Sequence, residues 1–248
     1  MPIYDKPVRA LLWDMVADLG LKRGQVLSKD QVLQWFRSKY PKIKEGTVSA
    51  HLIRMSTNAR SRVHYGVKPG EDDLFYQING SHFRLYDPET DPPPIYKDSP
   101  STQPSPPETE DSEEAAKEFA YESDLRNLLA KNLSILEPGL KLYEDKDEGV
   151  TGVEFPAGGR SIDILALDRN GDYVVIELKV SKAYDRVVGQ LLRYMSWIEE
   201  HQAEPGQKVR GMIVGREISE DLVLACRRIP DVELFQYELS VSVKKVTK

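Results

Sequence analysis

The chain of 248 residues is 40% hydrophobic and 30% charged with a formal net charge of −6, so it can bury one or two cores and is neither fibrous nor wholly disordered. A single cysteine, Cys226, and four scattered histidines, at 51, 64, 82 and 201, exclude an internal disulfide and a Cys- or His-based metal centre, leaving carboxylates as the main ligands for any metal. No apolar run is long enough to span a bilayer, and Asp5, Lys6, Arg9, Asp14 and Asp18 break up the N-terminal apolar positions, which sets the expectation of a soluble, cytoplasmic protein.

From the N-terminus, Val8, Leu11, Leu12, Met15, Val16 and Leu19 recur at helical spacing up to Gly20, predicting a first amphipathic helix. Ser28 is the expected N-cap of a second, with Val32, Leu33 and Phe36 as its stripe and Pro41 as its stop. A third follows in TVSAHLIRMSTNARSR, where Val48, Leu52 and Met55 share a face and Thr47, Ser49, Arg54, Thr57 and Asn58 lie elsewhere. LFYQINGSHFRLY then reads as two strands about Asn79-Gly80, a strong hairpin signal. A two-residue turn there would set Gln77 opposite His82 and Phe75 opposite Arg84. Three helices and a hairpin, over about residues 5–87, resemble the winged helix-turn-helix domains of DNA-binding proteins. The resemblance implies that Lys44, Thr47, Ser49 and Arg54 approach the major groove and that Arg84 on the wing meets the backbone.

Residues 88–118 carry prolines at 88, 92, 93, 94, 100, 104, 106 and 107 and almost no large apolar side chain. Such a segment cannot offset its ordering entropy and reads as a semi-extended, solvated linker. Charge is distributed to match: net +4 over residues 1–90, −6 over 91–120 and −4 over 121–248. The overall acidity therefore says little about the binding surface of either flank. The division that results is 1–88, a winged-helix domain; 89–117, a flexible linker; and 118–248, a second domain.

That second domain opens with a helix bearing Leu125, Leu128, Leu129 and Leu133. Two β-type runs, GGRSIDILALD and GDYVVIELKV, then flank the turn Arg169-Asn170-Gly171. Centring the turn on residue 170 sets Asp163 opposite Glu177, and strand periodicity puts Lys179 on the face of Glu177. Two carboxylates and an ammonium in nearly apolar strands are costly unless compensated. A divalent cation such as Mg²⁺ or Mn²⁺ is the natural compensator, since it accepts hard oxygen ligands and keeps positions open for phosphate oxygens.

Asp163, the Glu177-Leu-Lys179 tripeptide thirteen residues further on, and Gln190-Leu-Leu-Arg-Tyr194 on the helix that follows resemble the PD-(D/E)xK nuclease superfamily, most of all the NucS/EndoMS-type endonuclease domain. The resemblance covers about residues 118–248. It implies an α/β fold in which helices flank a restriction-endonuclease-like mixed sheet. It further implies Asp163, Glu177 and the Leu178 carbonyl as metal ligands, Lys179 as the residue that positions water, and Gln190 as a helper. Glu122 and Tyr194 are possible auxiliaries, and Arg160, Arg186 and Arg193 candidate phosphate contacts. The N-terminal β-rich domain of NucS enzymes has no counterpart in this sequence. The leading expectation is thus a Mg²⁺-dependent endonuclease acting on double-stranded DNA as a homodimer, with the winged helix reading the duplex in a restriction or phage-defence task. The alternatives are mismatch or branched-DNA repair of the NucS type, and a non-catalytic DNA-binding regulator on a nuclease-like scaffold. No small-molecule cofactor motif occurs.

Overall fold

The computed structural model describes residues 4–97 and 122–239, in two units. The first contains α1 (Val8–Asp18), β1 (Leu27–Ser28), α2 (Lys29–Lys39), α3 (Glu45–Arg54), a 3-10 helix (Arg60–Tyr65), β2 (Phe75–Asn79) and β3 (His82–Leu85). The Ser28 hydroxyl accepts the Gln31 N–H at 3.2 Å while the Gln31 side chain accepts the Ser28 N–H at 2.8 Å, a reciprocal cap that fixes the start of α2. The strands form a sheet in the order β1-β3-β2. Its core gathers Leu11, Leu12, Met15, Val32, Phe36, Val48, Leu52, Met55, Phe75 and Phe83. The hairpin forms about Asn79-Gly80 but in another register: Phe75 faces Leu85 and Gln77 faces Phe83, because the ladder is irregular between Gln77 and Asn79.

The first unit also runs past residue 88. The Ile95 N–H donates to the Thr57 carbonyl at 2.8 Å, Arg84 pairs with Asp91, and the Arg62 guanidinium lies 5.5 Å from the Tyr96 ring centre. The beginning of the expected linker is therefore packed chain. Residues 98–117, the rest of it, lie outside the described residues.

The second unit begins with α4 (residues 122–131) and a short 3-10 turn, Leu133–Ile135. Then come β4 (Lys141–Leu142), β5 (Glu144–Asp145), β6 (Val150–Thr151), β7 (Val153–Ala157), β8 (Arg160–Leu167), β9 (Tyr173–Ala183), α5 (Arg186–His201), β10 (Val209–Ile218), α6 (Glu220–Cys226) and β11 (Val232–Gln236). A mixed sheet runs β11-β10-β9-β8-β4, with β7 also paired to β8. Strands β9, β10 and β11 are parallel, whereas β8 is antiparallel to β4, β7 and β9. Alternation along the strands builds both faces. Ile164, Ala166, Val174, Ile176 and Leu178 pack with Leu125 and Leu129 of α4. Leu165, Tyr173 and Val175 pack with Val187, Leu191, Tyr194 and Ile198 of α5. Among the described residues, no helix is long and apolar enough to cross a membrane.

The two units are docked on each other through α3. Its Val48, Leu52 and Met55 enter the first core, while Ala50 and Ile53 join the cluster of Tyr143, Phe155 and Tyr173 in the second. Gly46 permits this approach, because a Cβ there would lie 2.2 Å from Gln202 Oε1 and 3.0 Å from Phe155. Polar contacts frame the contact: Lys44 Nζ donates to the Gln202 carbonyl at 2.7 Å, the Val8 N–H donates to Glu148 at 3.0 Å, and the Tyr65 hydroxyl donates to the Glu154 carbonyl at 3.1 Å. The duplex-reading roles implied for α3 are corrected accordingly. Thr47, Ser49 and Arg54 are buried; Arg54 is held by Asp72 at 3.1 Å and by the Glu148 carbonyl at 3.3 Å. Lys44 also pairs with Glu204 at 2.9 Å. Arg84 is taken up by Asp91 and by the Tyr76 ring 4.4 Å away. A helix covered on both sides has no face left for a major groove.

Candidate active site

The turn over residues 168–172, with Gly171 at φ +83°, holds the register expected of β8 and β9: Leu165 faces Val175 and Ile164 faces Ile176. One residue further, where β8 leaves the ladder, the Leu178 N–H donates to Asp163 Oδ2 at 2.8 Å. Glu177 lies on the α5 side of β9, the side of Tyr173 and Val175. Its Oε1 accepts Lys179 Nζ at 2.7 Å and Gln190 Nε2 at 2.6 Å, and Gln190 also lies 3.5 Å from the Tyr194 hydroxyl. The helical spacing of Gln190 and Tyr194 puts both on the face of α5 that meets the sheet, where Tyr194 is buried.

Glu177 is 1% exposed, and its Oε2 is buried without a hydrogen-bond partner. Burial, reinforced by the Asp163 charge, pushes its carboxyl above the ordinary glutamate range. Burial likewise raises Asp163, although the Leu178 N–H pulls it back. Desolvation pulls the Lys179 ammonium down, but the Glu177 charge and hydrogen bond outweigh this and hold it above the ordinary lysine value. The cluster thus contains two acids that resist ionising together and one firmly protonated amine. The Glu122 charge raises both acids. Its carboxylate does not complete a cluster, however: among the described residues, no group of three or more His, Cys, Asp or Glu is arranged to hold a metal.

Beside Lys179 opens a cleft of about 450 Å³ lined by Arg160, Lys182, Arg186, Gln190 and Arg193, with no acidic residue on its walls. Arg186 and Arg193 face Tyr184 and Tyr194 at 5.8 and 4.8 Å from the ring centres, and Lys182 is paired with Glu217. Two residues beside the acids escaped the sequence reading. Arg126, 4% exposed, places one nitrogen 2.6 Å from Glu154 and another 3.7 Å from Asp163. Glu154 has φ +48° and is the one non-glycine residue with positive φ among those described. Arg126 carried a usable signal, since it is four residues after Glu122 and so one turn along the same helix. Glu154, in GVEFPAGG, carried none.

A curled mixed sheet flanked by helices, with paired acids and an amine where two strands part, is the architecture of a nuclease-type α/β domain. Residues 121–229, most of the second unit, match the family described as Endonuclease NucS C-terminal domain. An Endonuclease NucS from Methanopyrus kandleri is 30% identical over 111 residues, 45% of this chain and 37% of that protein. The Endonuclease NucS of Pyrococcus abyssi is 34% identical over 112 residues, 45% and 39% of the two chains. The chain therefore spans less than two fifths of the length of these relatives. Among solved structures, a repair endonuclease from Pyrococcus abyssi aligns with 64% of this chain and 52% of its own at 23% identity and TM-score 0.38. An EndoMS–dsDNA complex aligns with 49% and 46% at 26% identity and TM-score 0.40. Residues 7–85 match a domain of unknown function, DUF7669.

Proposed function

We propose that this protein is a metal-dependent endonuclease of the NucS type that hydrolyses phosphodiester bonds in DNA, with repair of mismatched or branched duplexes as its task. The observation that carries the reading is the pair of electrostatically coupled acids Asp163 and Glu177, bonded through Glu177 to Lys179 and Gln190, which line a cleft walled by cations. Relatives named as NucS endonucleases favour this task over restriction or phage defence.

The acids fit a divalent ion. Glu177 Oε2 is a buried, unpartnered acceptor, and burial raises both carboxyls despite the nearby Lys179 ammonium, a situation that a hard ion relieves. Asp163, Glu177 and the Leu178 carbonyl would hold Mg²⁺ or Mn²⁺, and such an ion, when bound, polarises a phosphodiester and acidifies water. Gln190 fixes one oxygen of Glu177, leaving Oε2 as the free donor. Lys179, kept protonated by Glu177, stabilises negative charge developing on the phosphate and orients the attacking water. Arg160, Arg186 and Arg193 supply charge-assisted contacts to the backbone.

The test is cleavage of labelled paired, mismatched, modified and flapped duplexes in parallel, in Mg²⁺ and in EDTA. Cutting should need the metal. Asp163→Ala should abolish it, and Lys179→Ala should keep duplex binding while losing orders of magnitude in rate. Near-normal cutting by either variant, or no cutting of any substrate by the wild type, overturns the reading.

A further inference from the structure

With no face of α3 left for a major groove, the seam between the two units is where the first unit can meet a nucleic-acid backbone. Where the units meet lies a second concavity, of about 180 Å³, walled by Lys29 at the start of α2, Ser49 of α3, Ser61, Gln77 of β2, and Arg160 and Ser161 of β8. The hairpin tip closes it on one side, since a Cβ on Gly80 would lie 2.9 Å from the Gly159 carbonyl oxygen. Arg160 also lines the cleft beside Lys179, so the two hollows adjoin across one side chain.

The walls of this hollow lack a partner. Ser49 is 2% exposed and its hydroxyl is unpartnered, an arrangement that costs free energy unless a ligand completes it. Among the described residues, neither Lys29 nor Arg160 has a carboxylate within ion-pair distance. Desolvation draws the Lys29 ammonium below its ordinary value despite the charges of Glu45 and Asp30. Glu154 is the one acid on the wall, and Arg126 at 2.6 Å and His64 at 3.6 Å cover it. Two unpaired cations, several hydroxyls and an amide form a donor set suited to a phosphodiester, which offers only acceptors.

We propose that this junction holds a backbone phosphate of the same duplex that occupies the cleft beside Lys179, so that the first unit contacts substrate through Lys29 and Ser49, at its seam with the nuclease domain. The inference rests on the nuclease reading above and adds where the substrate continues. It gives the docking of α3 a purpose: the helix is spent on fixing Lys29 and Ser49 relative to Arg160.

The experiment is fluorescence anisotropy of a labelled duplex of about two helical turns with the full chain, free of divalent ions, from 50 to 200 mM NaCl. Wild type, Lys29→Gln, Ser49→Ala and, as a control, Lys22→Gln at an exposed lysine outside the hollow are compared, and thermal unfolding verifies that each folds. Each phosphate contact contributes about 0.9 to the slope of log affinity against log salt. Lys29→Gln should therefore lower the slope by about 0.9 and the affinity at 0.1 M salt by about eightfold, while Lys22→Gln matches the wild type. Ser49→Ala, which removes no charge, should weaken binding without changing the slope. A Lys29→Gln variant with wild-type slope and affinity overturns the proposal. So does stabilisation by inorganic phosphate, beyond that of chloride at equal ionic strength, that Lys29→Gln abolishes while duplex binding is unchanged, because the site would then serve a free anion. Failure of the wild type to bind any duplex defeats the nuclease reading itself, a distinct result.

Discussion

If Asp163 and Glu177 are acids forced together to await a cation, neutralising one should make the metal-free protein more stable and catalytically dead. Glu177→Gln is the sharpest form of this perturbation, because an amide retains the shape of the side chain and most of its bonding to Gln190. Burial and the Asp163 charge lift the Glu177 carboxyl from an ordinary 4.5 to about 7. At about 1.4 kcal/mol per pKa unit, holding it ionised in the folded protein costs roughly 3 kcal/mol. A raised folded-state value means that this contribution is fully present below the unfolded value near 4.5 and is lost as pH rises through about 7. Metal-free wild type should thus lose stability between those limits, whereas Glu177→Gln should lose only what the raised Asp163 carboxyl contributes as pH rises toward about 6 and be flat above it. At pH 8 the variant should be more stable by up to roughly 3 kcal/mol, or about 6–12 °C in midpoint for a chain of this size. Lys179 loses its partner in the variant, but its side chain is 30% exposed and can be hydrated, so the offset is small. The assay is thermal unfolding from pH 4.5 to 8.5 in EDTA, repeated with Mg²⁺, which should stabilise the wild type above pH 7 and leave the variant unmoved. Destabilisation by Glu177→Gln at pH 8, or a wild-type midpoint independent of pH over this window, would refute the account of the two acids.

Two further outcomes follow from the surroundings of that pair. Glu154→Gln should leave the nearly buried Arg126 with Asp163 as its one remaining ion-pair partner among the described residues, so that the guanidinium competes with a cation there; about a tenfold higher Mg²⁺ requirement for cleavage, restored by the double variant with Arg126→Gln, is expected, and an unchanged Mg²⁺ titration counts against it. Gly46→Val should overpack the contact with Gln202 and Phe155 at a cost of about 1–3 kcal/mol; urea unfolding followed by tryptophan fluorescence should show the loss, and undiminished stability would mean that α3 does not pack on Gln202 and Phe155 closely enough to exclude a side chain at position 46.

The juxtaposition of the candidate site residues was legible because short-range rules determine it. A three-residue turn with glycine in its left-handed position sets the register, and a period of two then carries Asp163, Glu177 and Lys179 to one place. Ser28 was legible for the same reason, its cap being completed within four residues. The hairpin register was not, since an irregularity at Ile78 shifts the pairing and no local residue type announces it. The double burial of α3 escaped through the logic of patterning itself. Val48, Leu52 and Met55 make one clear stripe, but the opposite face is Gly46, Ser49, Ala50 and Ile53, residues small enough to look solvent-facing and small for the same reason that a second unit packs on them. Thr47, Ser49 and Arg54 therefore resembled a DNA-reading surface while being an interface.

That misreading changes how the two units can work together. A reader on a flexible tether raises the local concentration of substrate but leaves its orientation free. A unit locked through α3, with an ion pair at Lys44 and hydrogen bonds from Val8 and Tyr65 around an apolar contact, fixes the distance between its own cations and Lys179. A fixed spacing discriminates by shape: a duplex that bends or opens to span both hollows gains the second contact, and one that stays straight does not, at a difference set by the cost of deforming it. Mismatched and branched duplexes deform more readily than paired ones. On the proposed reading, rigid docking, more than any base contact, is then the physical basis for preferring damaged substrates, and loosening the dock with Gly46→Val should narrow the difference in cleavage rate between mismatched and paired duplexes.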